Sequence, residues 1–203
     1  MSRFIGPAAA LVSLALIVTM SGCGGGAATS SCYPDTTTSS LQGTVYTSGI
    51  QPAQAGQAPA AQPLYFGSVT MRRTNNNAYI TDTMTDASGR YSFPDLTRGL
   101  DVTLTCTAPS GETLMTRTRL NSRDCTADID EDTTLATRCI MLLRQSAGGV
   151  VNDAAEDAAW QVCVQFQRAN RYQYGGLNGT RPDFTDQAAI QQAAQALLDA
   201  ATS

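Results

Sequence analysis

The chain has 203 residues, with 17 acidic against 13 basic side chains and a formal charge of −4, a balance that excludes the clustered positive charge nucleic-acid binding rests on. Every basic residue is Arg, and Lys and His are absent. Imidazole bases, imidazole metal ligands and Schiff-base amines are therefore excluded, so any catalysis would rest on carboxylates, thiols or hydroxyls, and no cofactor is expected.

Residues 1–22 read as an export signal. Arg3 supplies a positive start, and Ala8 to Met20 is an uncharged apolar run, too short for a good membrane span and right for a signal core. The run ends in Met20-Ser21-Gly22-Cys23, which resembles the lipobox of bacterial lipoproteins, with Met in place of the more usual Leu. The resemblance implies cleavage before Cys23, a diacylglycerol on its thiol and an acyl chain such as palmitate on its new amine, together enough for stable anchoring. Gly24 follows, without the acidic residue that retains some lipoproteins in the inner membrane. The expected location is therefore the cell envelope, at the outer membrane or cell surface. Residues 23–40 are small, polar and rich in Ser and Thr, which suits a flexible tether.

Residues 41–130 read as a β-body. Leu41 to Tyr46 is a first strand, and Gln51 to Gln62, made of Ala, Gln, Pro and Gly, is a loop. Leu64 to Arg73 is a second strand, with Val69 and Met71 alternating against Ser68, Thr70 and Arg72, and Asn75-Asn76-Asn77 turns the chain. Thr81 to Phe93 reads as a hairpin: Thr81, Thr83 and Thr85 alternate with Asp82 and Met84, Asp86-Ala87-Ser88-Gly89 is turn chemistry, and Tyr91 and Phe93 share one face of the returning strand. Asp101 to Thr107 places Val102, Leu104 and Cys106 on one face. After Pro109-Ser110-Gly111, Thr113 to Leu120 places Leu114 and Leu120 inward with Arg117 and Arg119 outward, and Cys125 to Ile129 is a last short strand. About seven short strands separated by Gly, Pro and Asn turns describe a sandwich.

The segments Leu41-Gln42-Gly43-Thr44-Val45, Ser68 to Met71, Thr85 to Leu96 and Val102 to Thr105 resemble the carboxypeptidase regulatory-like domain. Its pattern has a G-T-V opening and a D-x-x-G-x-Y-x-F turn. The resemblance spans Leu41 to Leu120 and implies a transthyretin-like Greek-key β-sandwich, an accessory or adhesive module at cell surfaces, and no catalytic residues. The expected architecture is mainly β, an about seven-stranded Greek-key sandwich followed by a small C-terminal region of about three helices in residues 131–203.

In that region Leu135, Cys139, Leu142 and Leu143 fall on one helical face, with Asp132 or Thr133 as the cap. Asp153 with Glu156 resembles a capping box before the stripe Ala159, Val162, Cys163 and Phe166. Asp186 to Ala201 is a third helix with Ile190, Ala194, Leu197 and Leu198 inward. The helices either form a bundle or cover a sandwich face.

Four groups of side chains carry candidate chemistry. Cys106 with Cys125, and Cys139 with Cys163, are disulfide candidates in an exported chain, with Cys32 left over and unbonded buried thiols as the alternative. Asp128, Asp130 and Asp132 alternate as calcium candidates, although an EF-hand loop fails at Thr133 and Cys139. Asp128, Asp130 and Glu131 are the carboxylates a hydrolase would use. Tyr172, Tyr174 and Phe184 would serve a carbohydrate-binding surface, or pack a loop onto the core. The leading expectation is a non-enzymatic, lipid-anchored envelope protein. Its partners are the membrane, through the lipid, and an envelope protein or glycan, with no nucleic acid.

Overall fold

The first described strand starts at Thr38, inside the expected tether, where Ser39 is buried and its hydroxyl donates to Ser122 O at 2.6 Å. The structure is a computed structural model, and it describes residues 38–47, 61–148 and 153–202. Cys23, Cys32, the signal and most of the tether lie outside the described residues, which all belong to the unit Thr36–Ser203.

The described chain is β-rich up to Thr126 and helical from Glu131. The strands are β1 (Thr38–Thr44), β2 (Tyr46–Thr47), β3 (Gln62–Pro63), β4 (Ser68–Arg73), β5 (Tyr79–Met84), β6 (Arg90–Thr97), β7 (Asp101–Thr107), β8 (Thr113–Arg119) and β9 (Asp124–Thr126). One sheet has the order β6-β1-β9, with β1 antiparallel to β6 and parallel to β9; a second has the antiparallel order β5-β4-β7-β8; β2 and β3 form a small ribbon. Leu41, Tyr91 and Phe93 from the first sheet, and Val69, Met71, Leu104 and Leu114 from the second, are buried in one sandwich-like core. Period-two alternation produces this, since Val69, Met71, Tyr91 and Leu104 are each followed by a polar residue on the opposite face.

Two features of β6 depart from plain alternation. Asp95 has φ +53°, and two residues of β6 oppose one of β1 between the pairs Leu41↔Phe93 and Ser39↔Leu96. This bulge resets the phase, so that Leu96 faces the core where Asp95 otherwise would. The second feature corrects the expected hairpin. Its turn forms as read: the Asp86 carboxylate accepts from Ser88 N at 2.7 Å and Arg90 N at 2.9 Å, and Gly89 takes φ +72°. The flanking strands do not pair with each other, however, because β5 pairs with β4 and β6 with β1. The turn carries the chain from one sheet to the other. Alternation shows which face a strand buries and leaves its hydrogen-bond partner open.

The helices are α1 (Glu131–Ser146), α2 (Asp153–Asn170) and α3 (Gln187–Ala201). The cap of α1 is Asp130, in a reciprocal box in which Asp130 accepts from Thr133 N and Thr133 accepts from Asp130 N. Glu156, expected to complete a capping box with Asp153, binds Arg144 and Arg117. Leu135, Cys139, Val164, Ile190, Ala194 and Leu197 join the three helices to the sandwich core.

α1 also closes a sheet edge. β8 is the outer strand, and its Met115 N donates to Thr134 Oγ1 at 2.8 Å while Met115 O accepts from Thr133 Oγ1 at 3.0 Å. Helix hydroxyls thus occupy backbone groups that an edge strand would leave open. Thr134→Val leaves the buried Met115 N–H unpaired, and a urea melt is expected to show a loss of about 1–3 kcal/mol.

Candidate functional site

The acidic run does not converge on one point. Asp128 accepts from Thr44 N at 2.9 Å, Asp130 caps α1, and Asp132 is buried with Arg168 and Arg171 each 3.5 Å away. The calcium arrangement of Asp128, Asp130 and Asp132 is therefore corrected: Asp128 is held by backbone, Asp130 by helix capping, and Asp130 and Asp132 share the Arg168 guanidinium, so cationic and N–H donors occupy the oxygens a cation would need. Among the described residues no group of three or more Cys, Asp or Glu is placed to hold a metal.

The expected aromatic surface is also corrected, since Tyr172, Tyr174 and Phe184 are all buried. Tyr172 Oη donates to Glu131 Oε2 at 2.6 Å, Tyr174 Oη donates to Gln167 Oε1, and the Phe184 ring lies under the Arg181 guanidinium at 4.8 Å. These rings fill the space between the α2–α3 loop and α1, and present no open face to a sugar.

Neither expected disulfide is formed among the described cysteines. Cys106, Cys125, Cys139 and Cys163 are free, buried thiols. Cys106 lies on β7 and Cys125 on β9, which belong to different sheets, so that pair does not come from neighbouring strands. The Cys125 thiol instead sits 3.3 Å from Ser122 Oγ and 3.5 Å from Ser39 Oγ, and burial pushes Cys106 up to about 12. Cys139 on α1 and Cys163 on α2 are both buried in the core, and the Cys139 thiol donates to Ala194 O on α3 at 3.1 Å.

Charge converges where the N-terminus of α1 meets the β-body. Glu131 Oε1 accepts from Arg181 Nε at 2.7 Å, and Arg181 Nη2 also bonds Glu112 Oε1 at 2.7 Å. Glu112 Oε2 in turn accepts from Thr47 Oγ1 at 3.2 Å. A cavity of about 130 Å³ beside this chain is lined by Tyr46, Thr47, Ala61, Asp130, Glu131, Asp132 and Arg171. Burial raises the Asp132 carboxyl above its ordinary value, against the opposing charge of Arg171. Burial, then the neighbouring Glu131 charge, raises the Tyr172 hydroxyl. Glu131 has both oxygens committed to Arg181 and Tyr172, so it is not a free base. The arrangement ties α1, the β7–β8 turn and the α2–α3 loop together.

A second buried network escaped the sequence reading. Arg117, placed outward on β8 by alternation, is covered by α2 and bonds Asp101 at 3.1 Å, Glu156 at 3.0 Å and Asp157 at 3.3 Å. Arg144 reaches the same Glu156 and donates to Thr74 O at 3.0 Å. The outward phase was legible in the sequence; the helix over it was not.

The exposed apolar surface lies elsewhere. Tyr65 and Phe66 are 60% and 63% exposed, with their rings edge-to-face at 5.9 Å. Phe66 adopts φ +58°, a conformation that ordinary side chains rarely take. Met84, which pairs with Ser68 just beyond them, is also exposed. Leu64 N donates to Val45 O at 2.8 Å, which places this segment at the Val45 end of the first sheet, the end away from Thr38.

No helix among the described residues is long and apolar enough to cross a membrane. No protein-family model matches the chain, and no curated protein does. Among solved structures it is similar to a double mutant of the shaft pilin SpaA from Lactobacillus rhamnosus GG, at 11% identity and a TM-score of 0.34 over 46% of this chain. The match covers 49% of the pilin chain, about half its length. It is also similar to the dioxygenase domain of a dioxygenase carbohydrate-binding protein fusion from Streptomyces sp. SirexAA-E, at 15% identity and a TM-score of 0.30, covering 48% of this chain and 82% of that one.

Proposed function

We propose that the protein is a lipid-anchored component of a bacterial cell envelope with a non-catalytic binding or structural role. Its body is read as a seven-stranded Greek-key sandwich of the carboxypeptidase regulatory-like type. The observation that carries this is the sequence Met20-Ser21-Gly22-Cys23 after an uncharged apolar run. The first described strand starts at Thr38. Seven strands of three or more residues among those described, divided three and four between two sheets, support the sandwich reading. The engagement of Asp128, Asp130 and Glu131 in backbone, capping and ion-pair bonds supports a role without carboxylate catalysis. β1 runs about 20 Å from Thr38 toward the end of its sheet that carries Tyr65 and Phe66.

The test is Cys23→Ala, read by detergent partitioning and by incorporation of labelled lipid. Wild type is expected in the detergent phase with label, and the variant in the aqueous phase without it. Equal partitioning and equal labelling of the two proteins would remove the anchor.

A further inference from the structure

The two larger sheets have four outer strands, β6, β9, β5 and β8, and three of them are short or closed. Helix hydroxyls take up β8 at Met115, and β9 is three residues long. In β6 the bond from Val45 N to Gly89 O sets Tyr91 and Phe93 toward β1, which leaves Arg90, Ser92 and Pro94 facing out. Asp86 bonds both backbone groups of Arg90, and Pro94 has no N–H to offer.

β5 stays open. Thr85 N donates to Gly67 O at 2.9 Å, and Thr74 N donates to Asp101 O at 3.0 Å. Val69 and Met71 therefore bond β5, while Ser68 and Thr70 bond β7. The backbone groups of Asp82 and Met84, opposite Thr70 and Ser68, point out of the sheet, and no described residue bonds them. A bulge sets Tyr79 and Ile80 against Arg72 and brings Tyr79 onto the outer face, where its hydroxyl donates to Asp82. That face reads apolar, acidic, apolar. Tyr79 and Met84 are 56% and 60% exposed, and among the described residues no cation pairs with the exposed Asp82 between them. Arg72 lies over the Tyr79 ring at 6.0 Å and donates to Asn77 O. Tyr65 and Phe66 precede Gly67, so four of the five large exposed apolar side chains described stand on β5 or within two residues of its Gly67 contact.

We propose that β5 is a strand-addition site for an extended segment of another protein, one with a basic residue between apolar residues at alternate positions. The backbone of the segment bonds Asp82 and Met84, its basic residue faces Asp82, and its apolar residues cover Tyr79 and Met84. Charge selects this occupant over a second copy. Two β5 strands paired antiparallel through Asp82 set its carboxylate against its own image, in a chain that already carries −4. Area points the same way: an edge of six residues, about 20 Å long, falls well short of the roughly 1,600 Å² of a stable dimer. The inference deepens the binding role proposed above and makes no use of the anchor, so the Cys23 experiment and this one fail separately.

The probes are two fluorescein-labelled peptides, Thr-Val-Thr-Arg-Thr-Val-Thr and its counterpart with Glu for Arg, titrated with the full chain and read by anisotropy. The Arg peptide is expected to bind with a dissociation constant of about 100 µM, and the Glu peptide about tenfold more weakly. Asp82→Arg is expected to reverse that order, which a merely unfolded variant would not do. The Arg peptide N-methylated at Arg and both Val is expected to lose binding, because it has no N–H to add to the edge. Hydrogen exchange at the Asp82 and Met84 amides is expected to slow when the Arg peptide is present. Equal binding of the two peptides, full binding of the N-methylated one, unchanged exchange at both amides, or no binding at about 1 mM peptide would each overturn the proposal. So would a wild-type dimer in sedimentation that Met84→Pro disperses, since a second copy would then fill the edge.

Discussion

Gly43→Ala is expected to destabilise the sandwich by more than about 3 kcal/mol, beyond the usual range for adding one methyl to a core. Gly43 lies on the central strand of its sheet, opposite Tyr91 on β6 and close to the chain that follows β9. A Cβ at this position would be driven into the carbonyl of Ala127 and would stand 2.8 Å from Tyr91 Oη. Both obstacles are held in place. Tyr91 is buried and its hydroxyl donates to Ala127 O, while Ala127 N donates to Gln42 O at 3.0 Å. The tyrosine therefore reaches across the strand where it has no side chain, and the Gly of the G-T-V opening is a passage for that bond. A urea melt checks this: a lowered midpoint with an unchanged slope is expected. Gly43→Ala with Tyr91→Phe, which removes one of the two obstacles, is expected to be less destabilised than the sum of the single variants. A Gly43→Ala midpoint equal to that of wild type would mean that the chain after β9 does not lie against β1.

Arg117→Met is the second large effect, with an expected loss of about 3–5 kcal/mol. The substitution keeps an apolar stem of similar length and removes the charge that Glu156 and Asp101 were buried against. Arg144 still reaches Glu156 in the variant, which places the expectation toward the lower end of that range. Asp157 is half exposed and recovers water, so it adds little. Adding Glu156→Gln to Arg117→Met should recover part of the loss, because the uncompensated buried charge goes with it. A simple sum of the two single variants would show that the two residues do not interact.

The same network gives a pH signature. Burial works against the Glu156 charge, but hydrogen bonds and charge from Arg144 and Arg117 hold its carboxyl below the ordinary value. A depressed acid contributes stability that is present above its unfolded value, about 4.3, and is lost as pH falls through the lower folded value. Asp101 acts in the opposite sense, since burial raises its carboxyl. Glu156→Gln is therefore expected to flatten the loss of stability of the wild-type chain below about pH 4, as read by urea midpoints along a pH series.

Local residue patterns set the elements and the faces they bury. Alternation in β4, β6, β7 and β8 named Val69, Met71, Tyr91, Phe93, Leu104 and Leu114 as core residues. Helical spacing placed Cys139 and Cys163 on inward stripes, and turn chemistry located Asp86 to Gly89. These are decided within a few residues by side-chain period, turn conformation and local hydrogen bonding. Tertiary structure alone decided which elements meet. It sent β5 and β6 to different sheets, separated Cys106 from Cys125, laid α2 over Arg117, and closed the Tyr172, Tyr174 and Phe184 loop over α1. The physical reason is that a strand's free hydrogen bonds and a helix's apolar stripe are alike toward many partners. The choice among them is made by the total area buried and the charges that must be matched, and both are properties of the whole packed chain.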